Sequence, residues 1–265
     1  MRRPYVIALG VVLLVAAGAV GLVVRARLAD NPATCAVPAA APDKPPGAAA
    51  TAPGGGGLHV VEQGFTSLNS GISYGAIVEN TSSSVAYRTH VTFAFSNNGT
   101  PVEQPPSPQN TQEIPIILPG QRIGVGTTGA LAAPHSATAA ELRLGDTTWL
   151  TRDEAGRDLG PITATVVRTE HPTEHYLGYL KITYTTATTT CRTLAWRGVA
   201  TVVRSQSGTI IGGTLQGSDD GCATGTHTTS PTGLLPVPDD TRTQVFPYCD
   251  LQRPPPESGT SQIAN

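Results

Sequence analysis

The chain changes hydrophobic rhythm twice. From Val6 to Val24 it is unbroken: 19 residues, 16 of them Val, Ile, Leu or Ala and the rest glycine. At 1.5 Å per residue this is about 28 Å of helix, enough for the hydrocarbon layer of a bilayer. Arg2 and Arg3 precede the run and Arg25 and Arg27 follow it. The positive-inside comparison is nearly balanced and tips toward a cytoplasmic N-terminus. A cleaved signal peptide is the rival, but Arg25-Ala26-Arg27-Leu28-Ala29-Asp30 offers no small-x-small cleavage site, so a retained helix is expected. Residues 31–57 then hold nine Ala, six Pro and five Gly with no period at all. Such a composition buries too little apolar side chain to offset ordering entropy and predicts a flexible tether.

After Gly57 the period becomes two. Tyr87, Thr89, Val91, Phe93 and Phe95 alternate with Arg88, His90, Thr92 and Ala94 on one predicted strand; Ile72, Tyr74, Ala76 and Val78 share a face of another. Asn80 to Ser84 makes a polar turn, Asn98-Gly99 supplies the positive φ of a tight hairpin, and Leu118-Pro119-Gly120 marks a further turn. The same grammar returns a hundred residues on. Leu180, Ile182 and Tyr184 alternate, a run follows through Val199 to Val203, and Ser205-Gln206-Ser207-Gly208-Thr209 matches Ser96-Asn97-Asn98-Gly99-Thr100. A repeat of this size suits tandem sandwiches, divided in the charged, glycine-containing stretch Thr151 to Pro161. The expected organisation is a cytoplasmic tail 1–5, a transmembrane helix 6–24, a linker 25–57, two β-sandwiches at 58–150 and 161–250, and a disordered tail 251–265.

The first copy carries Gly64-Phe65, Tyr74-Gly75-Ala76-Ile77-Val78-Glu79-Asn80-Thr81, Val91-Thr92-Phe93 and Leu118-Pro119-Gly120. On these residues it resembles the FxLyD-type family of immunoglobulin-like extracellular domains of bacterial membrane-anchored proteins. The resemblance covers roughly residues 58 to 150, and more loosely 161 to 250. It departs at Asn98 and Ser207, where the family has aspartate, and at Leu235-Pro236-Val237, which lacks the Pro-Gly step. It implies immunoglobulin-like β-sandwiches serving as binding or structural modules, and no catalytic residue to carry over.

Composition narrows the classes. Charged residues are 14% of the chain, with 17 Lys+Arg against 19 Asp+Glu, so the electrostatic footprint of a nucleic-acid binder is missing. With Gly 29 and Pro 23, strands and turns are favoured over packed helices. None of the four cysteines, Cys35, Cys191, Cys222 and Cys249, forms a Cys-x-x-Cys pair, which argues for disulfides in an oxidising compartment rather than a zinc ribbon. Loop closure favours Cys191 with Cys222, leaving Cys249 to pair with Cys35 or stay free.

Candidate chemistry is sparse. His171-Pro172-Thr173-Glu174-His175 places two His four apart, but the glutamate adjoins the second His and Pro172 interrupts any helix, so a connecting loop is expected instead of zinc. Asp219-Asp220 and Asp239-Asp240 lack the regular oxygen spacing of a calcium loop and are expected to be turn acids. His90 is expected at the solvent face of its strand, and Trp149 and Trp196 in the cores. Ser70-Gly71 and Ser207-Gly208 lack a hydrolase elbow. The sequence thus predicts an all-β protein, single-pass in the plasma membrane with its C-terminal domains extracytoplasmic. Its expected role is that of a non-enzymatic binding or structural module of a bacterial cell envelope. No cofactor, no catalytic or metal-ligating residues and no nucleic-acid partner are expected; the membrane is the expected partner through the apolar run, with an envelope protein or cell-wall component as a candidate partner for the domains. The alternative is an envelope hydrolase or metal-dependent enzyme.

Overall fold

The structure, a computed structural model, describes residues 44–103, 110–170, 180–217, 221–233 and 242–252. They belong to one compact unit and are all-β. The predicted span 6–24 lies outside the described residues; among those described, no helix is long and apolar enough to cross a membrane.

The first half builds two sheets. One is organised around β4 (Val85–Asn97). This strand pairs β6 (Thr111–Ile117) on one side, and β9 (Asp146–Leu150) and β8 (Ala139–Leu144) in succession on the other. β5 (Thr100–Pro101) closes a hairpin on β4 through Asn98 and Gly99, both at positive φ, as the Asn-Gly step predicts. The second sheet runs β2 (Leu58–Leu68), β3 (Gly71–Asn80), β7 (Arg122–Ala130). Gly120, at φ 72, makes the β6–β7 turn, closed by Gln121 N–H donating to the Leu118 carbonyl at 3.0 Å.

The expected face sharing holds. Ile72, Tyr74, Ala76 and Val78 pack in one cluster with Val91, Phe93 and Phe95, the Tyr74 ring edge-on to both phenylalanines. Trp149 is buried as predicted and His90 is exposed. The linker assignment is corrected over its described part. Lys44 to Gly57 carries β1 (Gly47–Ala48), which pairs β9, and buries Ala49 and Ala52 in the core. Trp149 Nε1 donates to the Ala48 carbonyl at 3.1 Å, so the low-complexity composition hides a short edge strand that needs only small side chains to fit.

The second half also builds two sheets, β10 (Ile162–Glu170), β11 (Lys181–Thr188), β14 (Gly225–Thr229), and β13 (Ile210–Gln216), β12 (Ala195–Arg204), β15 (Gln244–Asp250). Leu180, Ile182 and Tyr184 meet Val199, Val203 and Val245 between them. Between the halves lies α1 (Arg152–Ala155), a single turn started by a capping box in which Thr151 and Glu154 satisfy each other's backbone N–H. Every sheet is drawn from one side of this turn only.

The halves are nonetheless packed together. β3 is buried on both faces: its other face, with Ser73, Gly75 and Ile77, lies against β13. The result is four sheets in layers, with the β2–β3–β7 and β13–β12–β15 sheets as the two inner ones.

Candidate functional site

Among the described residues the places that could carry a function are the seam between the inner layers, a slot beside it, the outer face of the last sheet, and an open cavity of about 520 Å³ bordered by Phe93, Phe95, Val102, Glu141 and Arg143.

The seam is of two kinds. Along β3, β7 and β13 it is built on glycine. A β-carbon added at Gly213 would come 2.7 Å from the Thr201 carbonyl oxygen and 3.1 Å from the α-carbons of both Gly75 and Gly126, so the two backbones meet without side chains between them. Gly213 N–H donates to Ser73 Oγ at 3.1 Å, and the buried Tyr248 hydroxyl crosses the seam to the Gly124 carbonyl at 2.9 Å. Burial drives the Tyr248 phenol far above its usual range, so it stays a donor.

At the other end the seam is ionic. Asp250, fully buried at the end of β15, accepts from the Tyr87 hydroxyl at 2.9 Å and from Arg197 at 2.9 Å, with Arg88 at 3.5 Å. Arg197 also reaches Glu113 at 3.0 Å, and His90 faces Glu113 at 3.5 Å. Burial, reinforced by the Asp250 charge, raises the Tyr87 pKa well above the ordinary phenol value. Arg88 sits at φ 50, opposite Pro115, which has no N–H to complete the ladder. This left-handed kink breaks the strict alternation read from the sequence, and the Arg88 guanidinium lies 5.2 Å over the Tyr87 ring. Two arginines face two carboxylates, so the knot is charge-balanced and offers no surplus cation to an anionic ligand. Chemically it is a clasp.

Beside the clasp runs an apolar slot, about 210 Å³ in its open part and lined by Ile123, Pro161, Ile162, Val245, Phe246 and Pro247. It continues inward past Tyr248 and Cys249. The open part is below the about 300 Å³ at which small-molecule sites begin.

The disulfide prediction is corrected here. Cys222 bonds Cys249, not Cys191, with α-carbons 5.8 Å apart and a sequence separation of 27. Cys249 faces Trp196 across the β12–β15 ladder and lies with Cys222 in the cluster that joins the halves around Tyr87, Leu118 and Leu159. Loop entropy could not choose between the pairings, because loops of such similar length differ by only about 0.1 kcal/mol. Cys191 is disulfide-bonded too, so both predicted cysteines are oxidised but not to each other.

The remaining candidates do not converge. His171 and His175, Asp219-Asp220 and Asp239-Asp240 lie outside the described residues. Among the described residues no group of three His, Cys, Asp or Glu could hold a metal ion.

What sequence reasoning missed is the outer face of β10–β11–β14. Three Thr-x-Thr triplets, Thr163-Ala164-Thr165, Thr183-Tyr184-Thr185 and Thr226-His227-Thr228, lie one on each strand. Their middle residues turn inward, Tyr184 into the core with the His227 ring 5.5 Å from its own. The triplets were legible as period two, but only strand pairing aligns them. Comparison with known proteins finds no matching family model, no matching curated protein and no matching solved structure.

Proposed function

We propose that this chain is a non-enzymatic binding or structural module of a bacterial cell envelope, anchored by the apolar run Val6–Val24 with its immunoglobulin-like strand layers outside the cytoplasm. The observation that carries the reading is the oxidised cysteine set. A Cys222–Cys249 bond built into the core between the halves, with Cys191 also oxidised, suits a compartment that permits disulfides. The 19-residue apolar run accounts for how a body with so little net charge would be kept at a membrane. The clasp and the glycine seam support a rigid display unit, since both spend polar and backbone groups on holding the layers together.

The test combines topology with thiol state. The chain has two lysines, Lys44 and Lys181, both with solvent-accessible amines, so a membrane-impermeant amine reagent should label both on intact cells. Peptide mapping without reductant should recover Cys222 linked to Cys249 and no free thiol, with Cys35 the one cysteine left in the chain for Cys191. Labelling only after lysis, or free thiols at Cys222 and Cys249 in freshly isolated protein, would overturn the reading.

A further inference from the structure

The oxidised cysteines differ in their access to solvent. Cys222 and Cys249 are 6% and 5% exposed and bond each other inside the cluster that joins the halves. Cys191 is also disulfide-bonded, yet it is exposed, in the connection between β11 and β12. The chain has four cysteines, so elimination leaves Cys35 as its partner within the chain.

The surroundings of Cys191 show what such a bond would hold. Both of its sequence neighbours are fastened to the connector between the halves, residues 151–161. Thr190 Oγ1 donates to the Gly160 carbonyl at 2.9 Å and accepts from the Gly160 N–H at 3.1 Å. Arg192 donates to the Ala155 carbonyl and pairs with Asp158 at 3.5 Å. Lys44, the first described residue, reaches the same connector through Glu154 at 3.4 Å. The four residues of α1 rise only about 6 Å, whereas the nine steps of chain from Cys35 to Lys44 can span about 30 Å. Chain length therefore sets no obstacle to a Cys35–Cys191 bond.

We infer that Cys35–Cys191 is a reducible clamp, a disulfide that straps the N-terminal segment to the connector and is opened by a dithiol of the thiol–disulfide oxidoreductase class. A thiolate of that dithiol attacks the exposed Cys191 Sγ, forming a mixed disulfide and releasing Cys35 as thiolate. The second thiolate then breaks the mixed disulfide and releases Cys191. Two electrons pass to the cysteine pair, the dithiol leaves as its own disulfide, and its two protons end on Cys35 and Cys191. Access to sulfur decides which bond reacts, so burial shields Cys222–Cys249 and exposure singles out Cys191. Opening the clamp changes reach. The chain between the apolar run and its first point of attachment grows from ten residues, 25–34, to nineteen, 25–43, or from about 31 to about 59 Å when fully extended.

The change of reach rests on the anchorage proposed above; the clamp itself does not. Full-length protein in detergent micelles is treated with dithiothreitol under native conditions, quenched with acid at intervals, alkylated and mapped by mass spectrometry. Cys35 and Cys191 should become alkylatable together, at least about tenfold faster than Cys222 and Cys249. Near-UV circular dichroism should stay native while they do, because the strand layers do not depend on the clamp. Cys35→Ser should leave Cys191 alkylatable without reductant, with Cys222 and Cys249 still bonded. Should that variant misfold, the wild-type time course decides alone. Cys191 recovered on anything but Cys35 of the same chain, a second copy included, overturns the inference, and so does the appearance of all four thiols at one rate. Impermeant labelling that fails on intact cells while Cys35 and Cys191 are reduced first would sink only the anchorage reading.

Discussion

The two ends of the seam between the halves solve one problem by opposite means. Along β3, β7 and β13 side chains are removed until backbone meets backbone. At the end of β15 charged side chains are brought in and neutralised around Asp250. The glycine contact is dry, short-ranged and intolerant of volume. The ionic contact is directional, and its arginines are about a quarter exposed, so water shares the load. Dispersion contacts fail abruptly when a methyl group is forced in, while a partly hydrated ion pair gives way by degrees. Substitutions at the two ends should therefore differ in size and in the shape of their effects.

The largest effect belongs to the glycine seam. Gly213→Val would push a branched side chain into the Thr201 carbonyl and the backbones of Gly75 and Gly126, none of which can rotate away. A loss above about 3 kcal/mol is expected, enough to abolish cooperative unfolding in a marginal body. Gly217→Val is the matched control, since nothing described lies within 4 Å of a β-carbon there, and it should stay within about 0.5 kcal/mol. Denaturant midpoints that move equally for the two would show that the seam is not a close contact.

Asp250→Ala comes next. It strips the acceptor from the Tyr87 hydroxyl and the counter-charge from Arg197 and Arg88, and should cost about 3 kcal/mol, the lower end for breaking a buried pair because both arginines reach water. Asp250→Asn keeps an acceptor for Tyr87 and should lose less. Equal denaturation midpoints for Asp250→Ala and wild type would mean that the clasp is decorative.

These two ends also differ in how legible they were. The alternation that put Ile72, Tyr74, Ala76 and Val78 on one face is local, and local periodicity reads it. The opposite face of the same strand is buried by β13, some 140 residues away, and Ser73 and Gly75 look there like the polar side of a half-buried strand. Glycines inside strands at Gly75, Gly124, Gly126, Gly212 and Gly213 were a usable signal, because glycine in a strand can mark close approach of another backbone. Asp250 had no such signal, since its partners come from β4 and β12 and an acid at a strand end is ordinarily solvated. The threonine triplets are intermediate: each is visible by itself, and only the β10–β11–β14 register makes them a surface.

A third contact joins the halves at the surface and should give the smallest effect. Glu62 on β2 pairs with Arg204 on β12 at 2.6 Å, and its carboxyl is held below the ordinary value of 4.5, chiefly by that hydrogen bond. A carboxyl whose folded pKa is depressed contributes stability in full above its unfolded pKa. That contribution fades as pH falls through the folded value, because the unfolded chain then takes up the proton more readily. Glu62→Gln should therefore be less stable than wild type at neutral pH, by no more than about 1 kcal/mol given how exposed the carboxylate is, and the two should converge in acid below 4.5. Raising salt should narrow the neutral-pH gap as well, whereas the Gly213→Val and Gly217→Val difference should ignore both pH and salt. A gap that persists unchanged into acid would assign the effect of Glu62 to packing of its methylenes against the seam rather than to its charge.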